Sequence, residues 1–159
     1  MDSVPGKRLL IFYHSEGARV VFMANQIGES ARERGIEVDV RMVAEVDVES
    51  LVGYDGILVG SPTYFSNVSW QIKKIIDETY PLRRGEFRLK GKIRGSFTSS
   101  DTRRDAEDCI RLIELSFGLH HQMEMVPGII VTRRDTEAEV YESCRVYGEL
   151  LADKIFGTE

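Results

Sequence analysis

The chain is poor in the features that mark several protein classes. It has two cysteines, Cys109 and Cys144, far apart and in no metal-ligand spacing. That argues against a disulfide framework or a thiolate metal site. Both fall in helical patterns, so they are expected as reduced, partly buried thiols. No apolar run approaches the ~20 residues that span a bilayer. Residues 1–8 lack the apolar segment of a signal peptide, so a cytoplasmic location is expected. Lys and Arg number 21 against 26 Asp and Glu, a formal net charge of -5. Without a basic surplus, a nucleic-acid binder is not expected. Neither a Walker motif nor GxGxxG occurs, so nucleoside triphosphate and dinucleotide folds lack their fingerprints. There is no repeat, low-complexity tract or linker. The 159 residues read as one domain, 1–159, long enough to bury a core without staples.

Apolar runs instead alternate with helical patterns. RLLIFY (Arg8 to Tyr13) and GILVG (Gly56 to Gly60) read as strands buried on both faces. IEVDVRM (Ile36 to Met42) alternates like a half-exposed edge strand. Gly91 to Thr98 and Met123 to Val131 supply two more, the last with Pro127 and Gly128 marking a bulge or an edge. Helical stripes lie between them. One runs from near Gly17 to Gly35. A second carries Val68, Ile72, Ile75 and Ile76. A third carries Ala106, Ile110, Ile113 and Phe117 and stops at Gly118. The last carries Val140, Cys144, Tyr147 and Leu151. Trp70, just inside the second, is expected to pack. Arg94 falls in an interior strand and is expected to snorkel from its open end. Such alternation predicts an α/β three-layer sandwich around a five-stranded parallel sheet of order 2-1-3-4-5. Ligands of that fold bind outside the carboxyl ends of the strands, where the order reverses.

Three loops meet there. His14 to Arg19 opens a helix, where free N–H groups and the dipole favour an anion. Ser15 offers a hydroxyl, Gly17 allows close approach, and Arg19 can pair with phosphate. In Gly60 to Asn67, Pro62 fixes the backbone, Thr63 and Asn67 can bond a heterocycle edge, and Tyr64 and Phe65 can cover a flat ring; an inward-packed Phe65 is the competing expectation. Thr98 to Asp105 carries small hydroxyl residues that either cap a helix or line a ligand. Arg19, Arg103, Arg104, Arg133 and Arg134 should share this edge and predict a locally basic rim. His120 and His121 should lie at the far edge in structural roles.

These residues resemble the flavodoxin-like superfamily, in particular its WrbA-type NAD(P)H:quinone oxidoreductase branch. GSPTYFSNVSWQIKKIIDET (Gly60 to Thr79) carries most of the likeness, with LKGKIRGSFTSS, LHHQMEMVPGIIV and RLLIFYHSEG in support. The resemblance implies non-covalent FMN. Ser15, Gly17, Ala18, Arg19 and Val20 would hold its phosphate. Pro62, Thr63, Tyr64, Phe65, Ser66 and Asn67 would flank the isoalloxazine, and Thr98, Ser99, Ser100 and Asp101 would close the other side. Ala18 and Val20 stand where the pattern has Gly and Thr. The branch's long insertion near its last strand, which helps its oligomer form, is missing, which leaves a homodimer open. The implied partners are NAD(P)H or a protein electron donor, and a quinone or other small acceptor. Three functions follow: an NAD(P)H-dependent oxidoreductase, an electron carrier between proteins, and a cofactor-free interaction module.

Overall fold

The computed structural model describes residues 6–157; of the leader reading, residues 1–5 lie outside them. Leu9 and Ile11 face one side of β1 (Arg8–Tyr13) while Leu10 and Phe12 face the other, and all four are buried. A strand covered on both faces needs apolar side chains at odd and even positions alike, hence the unbroken run. β1 pairs in parallel with β2 (Glu37–Met42) and β3 (Gly56–Pro62), and β3 pairs with β4 (Ile93–Ser100). The order β2-β1-β3-β4-β5 is the expected one, with half-exposed β2 at the edge.

The fifth strand is broken in two. β5 (Glu124–Met125) pairs with the start of β4, and β6 (Ile129–Thr132) with its end. Arg94 faces Met125, but Phe97 faces Ile129, so one extra residue enters between them. Pro127 and Gly128 point to a bulge or an edge, and the structure has both: Pro127 has no N–H for the ladder, and β5 and β6 pair with β4 alone.

α1 (Ala18–Glu33) and α5 (Glu137–Phe156) cover one face of the sheet through Met23, Ile27, Cys144, Tyr147 and Leu151. α2 (Trp70–Glu78), the short α3 (Tyr80–Arg83) and α4 (Arg103–Glu114) cover the other through Ile72, Leu82 and Ile113. α5 begins with a capping box. The Thr136 side chain accepts from Glu139 N, and the Glu139 carboxylate accepts from Thr136 N at 2.8 Å. Thr136→Ala should therefore destabilise the fold by about 1 kcal/mol, read as a lower urea midpoint with an unchanged slope.

Three expectations are corrected. The third helix does not stop at Gly118: α4 passes into a π-helical turn, Leu115–His120. Arg94 does not reach water but is buried, 4% exposed, and Gly118 packs on its guanidinium. Any Cβ at residue 118 would strike that group, so this glycine makes space inside a helical turn rather than ending one. Trp70 does not pack; it is 70% exposed at the start of α2.

Both cysteines are buried and free, one on each face, and burial pushes the Cys144 thiol up to about 12. His121 is structural, as expected. It stacks on Phe117, and its Nε2 lies 2.8 Å from Thr79 Oγ1. Because the Thr79 hydroxyl donates to the Ile76 carbonyl at 2.6 Å, His121 Nε2 carries the proton. Burial, then Arg83 and His120, hold its pKa below 6.5. The unfolded chain thus takes up this proton first, and stability present above pH 6.5 is lost as pH falls below it. Urea titrations at pH 7.5 and about 5.5 should show that loss, and His121→Gln should remove it.

Candidate functional site

The carboxyl ends of the strands open onto a cleft of about 560 Å³. It is lined by Arg19 on α1, Pro62 to Ser66 from the end of β3 onward, Ser99 to Asp101 at the end of β4, Asp105 on α4 and Arg133 after β6. The size suits a small-molecule site, which typically measures about 300–1,000 Å³. Tyr64 and Phe65 are shared with a neighbouring groove of about 1030 Å³, where Trp70, Lys73 and Leu112 also line the wall.

The β3 loop is a two-residue hairpin. Tyr64 and Asn67 each donate a backbone N–H to the other's carbonyl at 2.9 Å. Its central residues, Phe65 (φ 51) and Ser66 (φ 61), are both left-handed. Asn-Gly is the usual pair for such a turn. Two residues with side chains in that conformation cost of order 1–3 kcal/mol each, the kind of strain that clusters at functional sites. The turn stands Phe65 wholly outside, 102% exposed. The outward reading of this aromatic holds, and the inward one fails.

Side-chain contacts hold the loop in place. Tyr64 Oη donates to Glu16 Oε2 at 3.1 Å, tying it to the α1 loop. Burial first, then Glu16, raises the Tyr64 pKa. Ser66 Oγ donates to Asp105 Oδ1 at 2.7 Å, and Thr102 Oγ1 to Asp105 Oδ2 at 2.7 Å. Those two bonds hold the Asp105 carboxyl below its usual range. Asn67 Oδ1 accepts from Val68 N at 2.7 Å, so its side chain braces the turn.

At the α1 end, the N-cap is Gly17, which supplies no side-chain acceptor. A Cβ added there would meet nothing within 4 Å. The N–H groups of Ala18, Arg19 and Val20 are the first three of the helix and have no partner within it. Ser15 does not cap the helix; its hydroxyl donates to the Gly17 carbonyl and accepts from Gly17 N. Arg19 Nη1 donates to the Thr132 carbonyl at 2.7 Å, which fixes the guanidinium at the cleft wall. The Val20 side chain is in the core, so only its backbone can serve a ligand. Thr98 is likewise fully buried and does not line the cleft.

The expected basic rim is mixed in sign. Arg133 pairs with Asp101 at 3.3 Å, and Glu16, Asp105, Asp135 and Glu137 share the edge with Arg103, Arg104 and Arg134. Two lining residues, Asp105 and Arg133, are not among the cofactor ligands that the sequence predicts. Asp105 lies three residues after the N-cap Thr102, a spacing that reads as a helix cap. Its bond to Ser66 forms only once β3 and α4 are brought together.

A parallel sheet of this order, with a polar and aromatic cleft at its switch point, defines a flavodoxin-like ligand-binding domain. The comparisons agree. The chain is 33% identical to an NAD(P)H dehydrogenase (quinone) of Acidithiobacillus ferrooxidans, over 77% of this chain and 70% of that protein. It is 28% identical to a flavodoxin of Clostridium saccharobutylicum, over 93% and 97%. A WrbA-like flavodoxin structure from Agrobacterium tumefaciens superposes with a TM-score of 0.80 at 20% identity, covering 98% of this chain and 100% of that one. No family model matches. The chain belongs to the flavodoxin-like superfamily.

Proposed function

We propose that residues 1–159 act as one FMN-binding redox domain, an NAD(P)H-dependent oxidoreductase with a quinone or similar small acceptor. The observation that carries this is the cleft, which Arg19, in the first turn of a helix with an open N-terminus, lines together with a strained aromatic turn. The residues fit the cofactor. The N–H groups of Ala18, Arg19 and Val20, with the Arg19 guanidinium, would receive a phosphate dianion. Tyr64 and Phe65 present aromatic faces to a flat ring, and Ser99, Ser100 and Asp101 bound the opposite wall. FMN, when bound, supplies a reversible acceptor for hydride and electrons. The residues of the cleft would hold and orient it. A reducing compartment such as the cytoplasm suits the two free thiols.

A carrier that serves protein partners, alone or as a homodimer, is the second reading. The chain matches almost the whole length of the Clostridium flavodoxin but 70% of the Acidithiobacillus dehydrogenase, and the exposed Phe65 and Trp70 offer an apolar contact. One experiment separates these readings. Apo-protein is titrated with FMN, then mixed anaerobically with NADH or NADPH while the visible spectrum is recorded. Bleaching, followed by turnover on a quinone, is the result expected. Uptake without bleaching favours the carrier, and no uptake favours a cofactor-free module.

A further inference from the structure

The hydroxyl protons beneath the cleft are spoken for. Thr98 Oγ1 lies 2.6 Å from the Ser61 carbonyl and 2.7 Å from Thr63 Oγ1. A carbonyl oxygen only accepts, so the Thr98 proton goes to Ser61. The Thr63–Thr98 contact then has one proton left to fill it, the proton of Thr63. Both contacts are satisfied in no other arrangement. The Thr63 backbone N–H is also engaged, pointing to the Ser99 carbonyl at 3.4 Å. Thr63 lines the cleft, and Thr98, 0% exposed, does not.

We infer that Thr98 is a positioning residue that takes the Thr63 proton, so that Thr63 meets the bound flavin as a hydrogen-bond acceptor only. Ser66 follows the same pattern, since its proton is given to the Asp105 carboxylate. This part of the cleft therefore selects a ligand group that donates, an N–H of the ring or a hydroxyl of its side chain. It disfavours the phosphate, which only accepts and is left to the open N-terminus of α1. Thr98 thus acts on the ligand without touching it, through the direction of one hydroxyl.

The inference rests on the FMN reading, and a double-mutant cycle separates the two. The probe is FMN, its dissociation constant read by quenching of flavin fluorescence. Thr98→Val keeps the shape but cannot accept the Thr63 proton, and it should weaken FMN by about 5- to 10-fold. Thr98→Ser, which restores the acceptor, should bind within about twofold of the natural chain. In a Thr63→Val background, Thr98→Val should cause no further loss, because its effect passes through Thr63. An equal loss in both backgrounds, or no loss in either, overturns the inference while the FMN reading stands. A natural chain that takes up no FMN removes both. NMR of the natural apo-protein supplies a check without any substitution. A slowly exchanging Thr63 hydroxyl proton close to the Thr98 side chain is expected, and one exchanging at the rate of a free hydroxyl would overturn the inference.

Discussion

Arg19→Ala should weaken FMN roughly 10- to 100-fold, the range for a hydrogen bond to a charged group, while riboflavin, which lacks the phosphate, should change by less than about threefold. The difference between the two ligands is the test, and equal losses would remove Arg19 from the phosphate site. Arg19 Nη1 is held by the Thr132 carbonyl, so the guanidinium is already ordered before a ligand arrives. Less rotamer freedom is then lost on binding. The remaining donors of the fork are free to meet an anion beside the open helix N-terminus. Arg19→Lys should recover only part of the affinity, since an ammonium cannot hold Thr132 and a phosphate in the same fork geometry. The carbonyl tie itself contributes about 1 kcal/mol, so a small fall in apo-protein stability should accompany both variants.

The largest loss of stability should come from Phe97→Ala, about 3–5 kcal/mol. Phe97 on β4 is fully buried, and its ring occupies the space over Gly60 on the neighbouring strand, where any Cβ would collide with it. The aromatic and the glycine are one packing unit, directly beneath the start of the 62–67 loop. Removing the ring leaves a cavity that a rigid parallel sheet cannot close. Adding a methyl at Gly60 instead overpacks the same space and should cost about 1–3 kcal/mol. The pair yields a sharper test than either change alone. Gly60→Val should harm the natural chain but recover part of the loss in Phe97→Ala, because it fills the vacated volume. Urea unfolding of the four proteins measures this coupling, and strict additivity would show that the two residues do not share a cavity.

Much of the architecture follows from local rules that a sequence carries openly. Continuous apolar runs at Arg8 to Tyr13 and Gly56 to Gly60, with amphipathic stripes between strands, left few topologies once crossovers are right-handed. The loops that meet at the switch point were therefore identifiable by residue type alone. The side chains that work within them were harder to sort. Thr98 and Ser99 are adjacent hydroxyl residues at the end of β4, yet one is buried and the other lines the cleft. Alternation along a strand separates them, but which face opens to a ligand depends on what packs against it.

By itself, then, the sequence determined the layered α/β fold, the order of its sheet, the irregular edge strand at Pro127 and the loops that meet at the switch point. Periodicity, proline and glycine are local signals and survive without any partner. Only the tertiary structure decided that Phe65 and Trp70 point outwards, that Arg94 is sealed under Gly118, and that Asp105 holds the aromatic turn through Ser66. It alone fixed the direction of the Thr63 hydroxyl. The contacts among these join residues 24 to 39 positions apart, and the two exposed aromatics depend on what fails to pack over them. Contacts at that separation are made by packing, and no local pattern announces them.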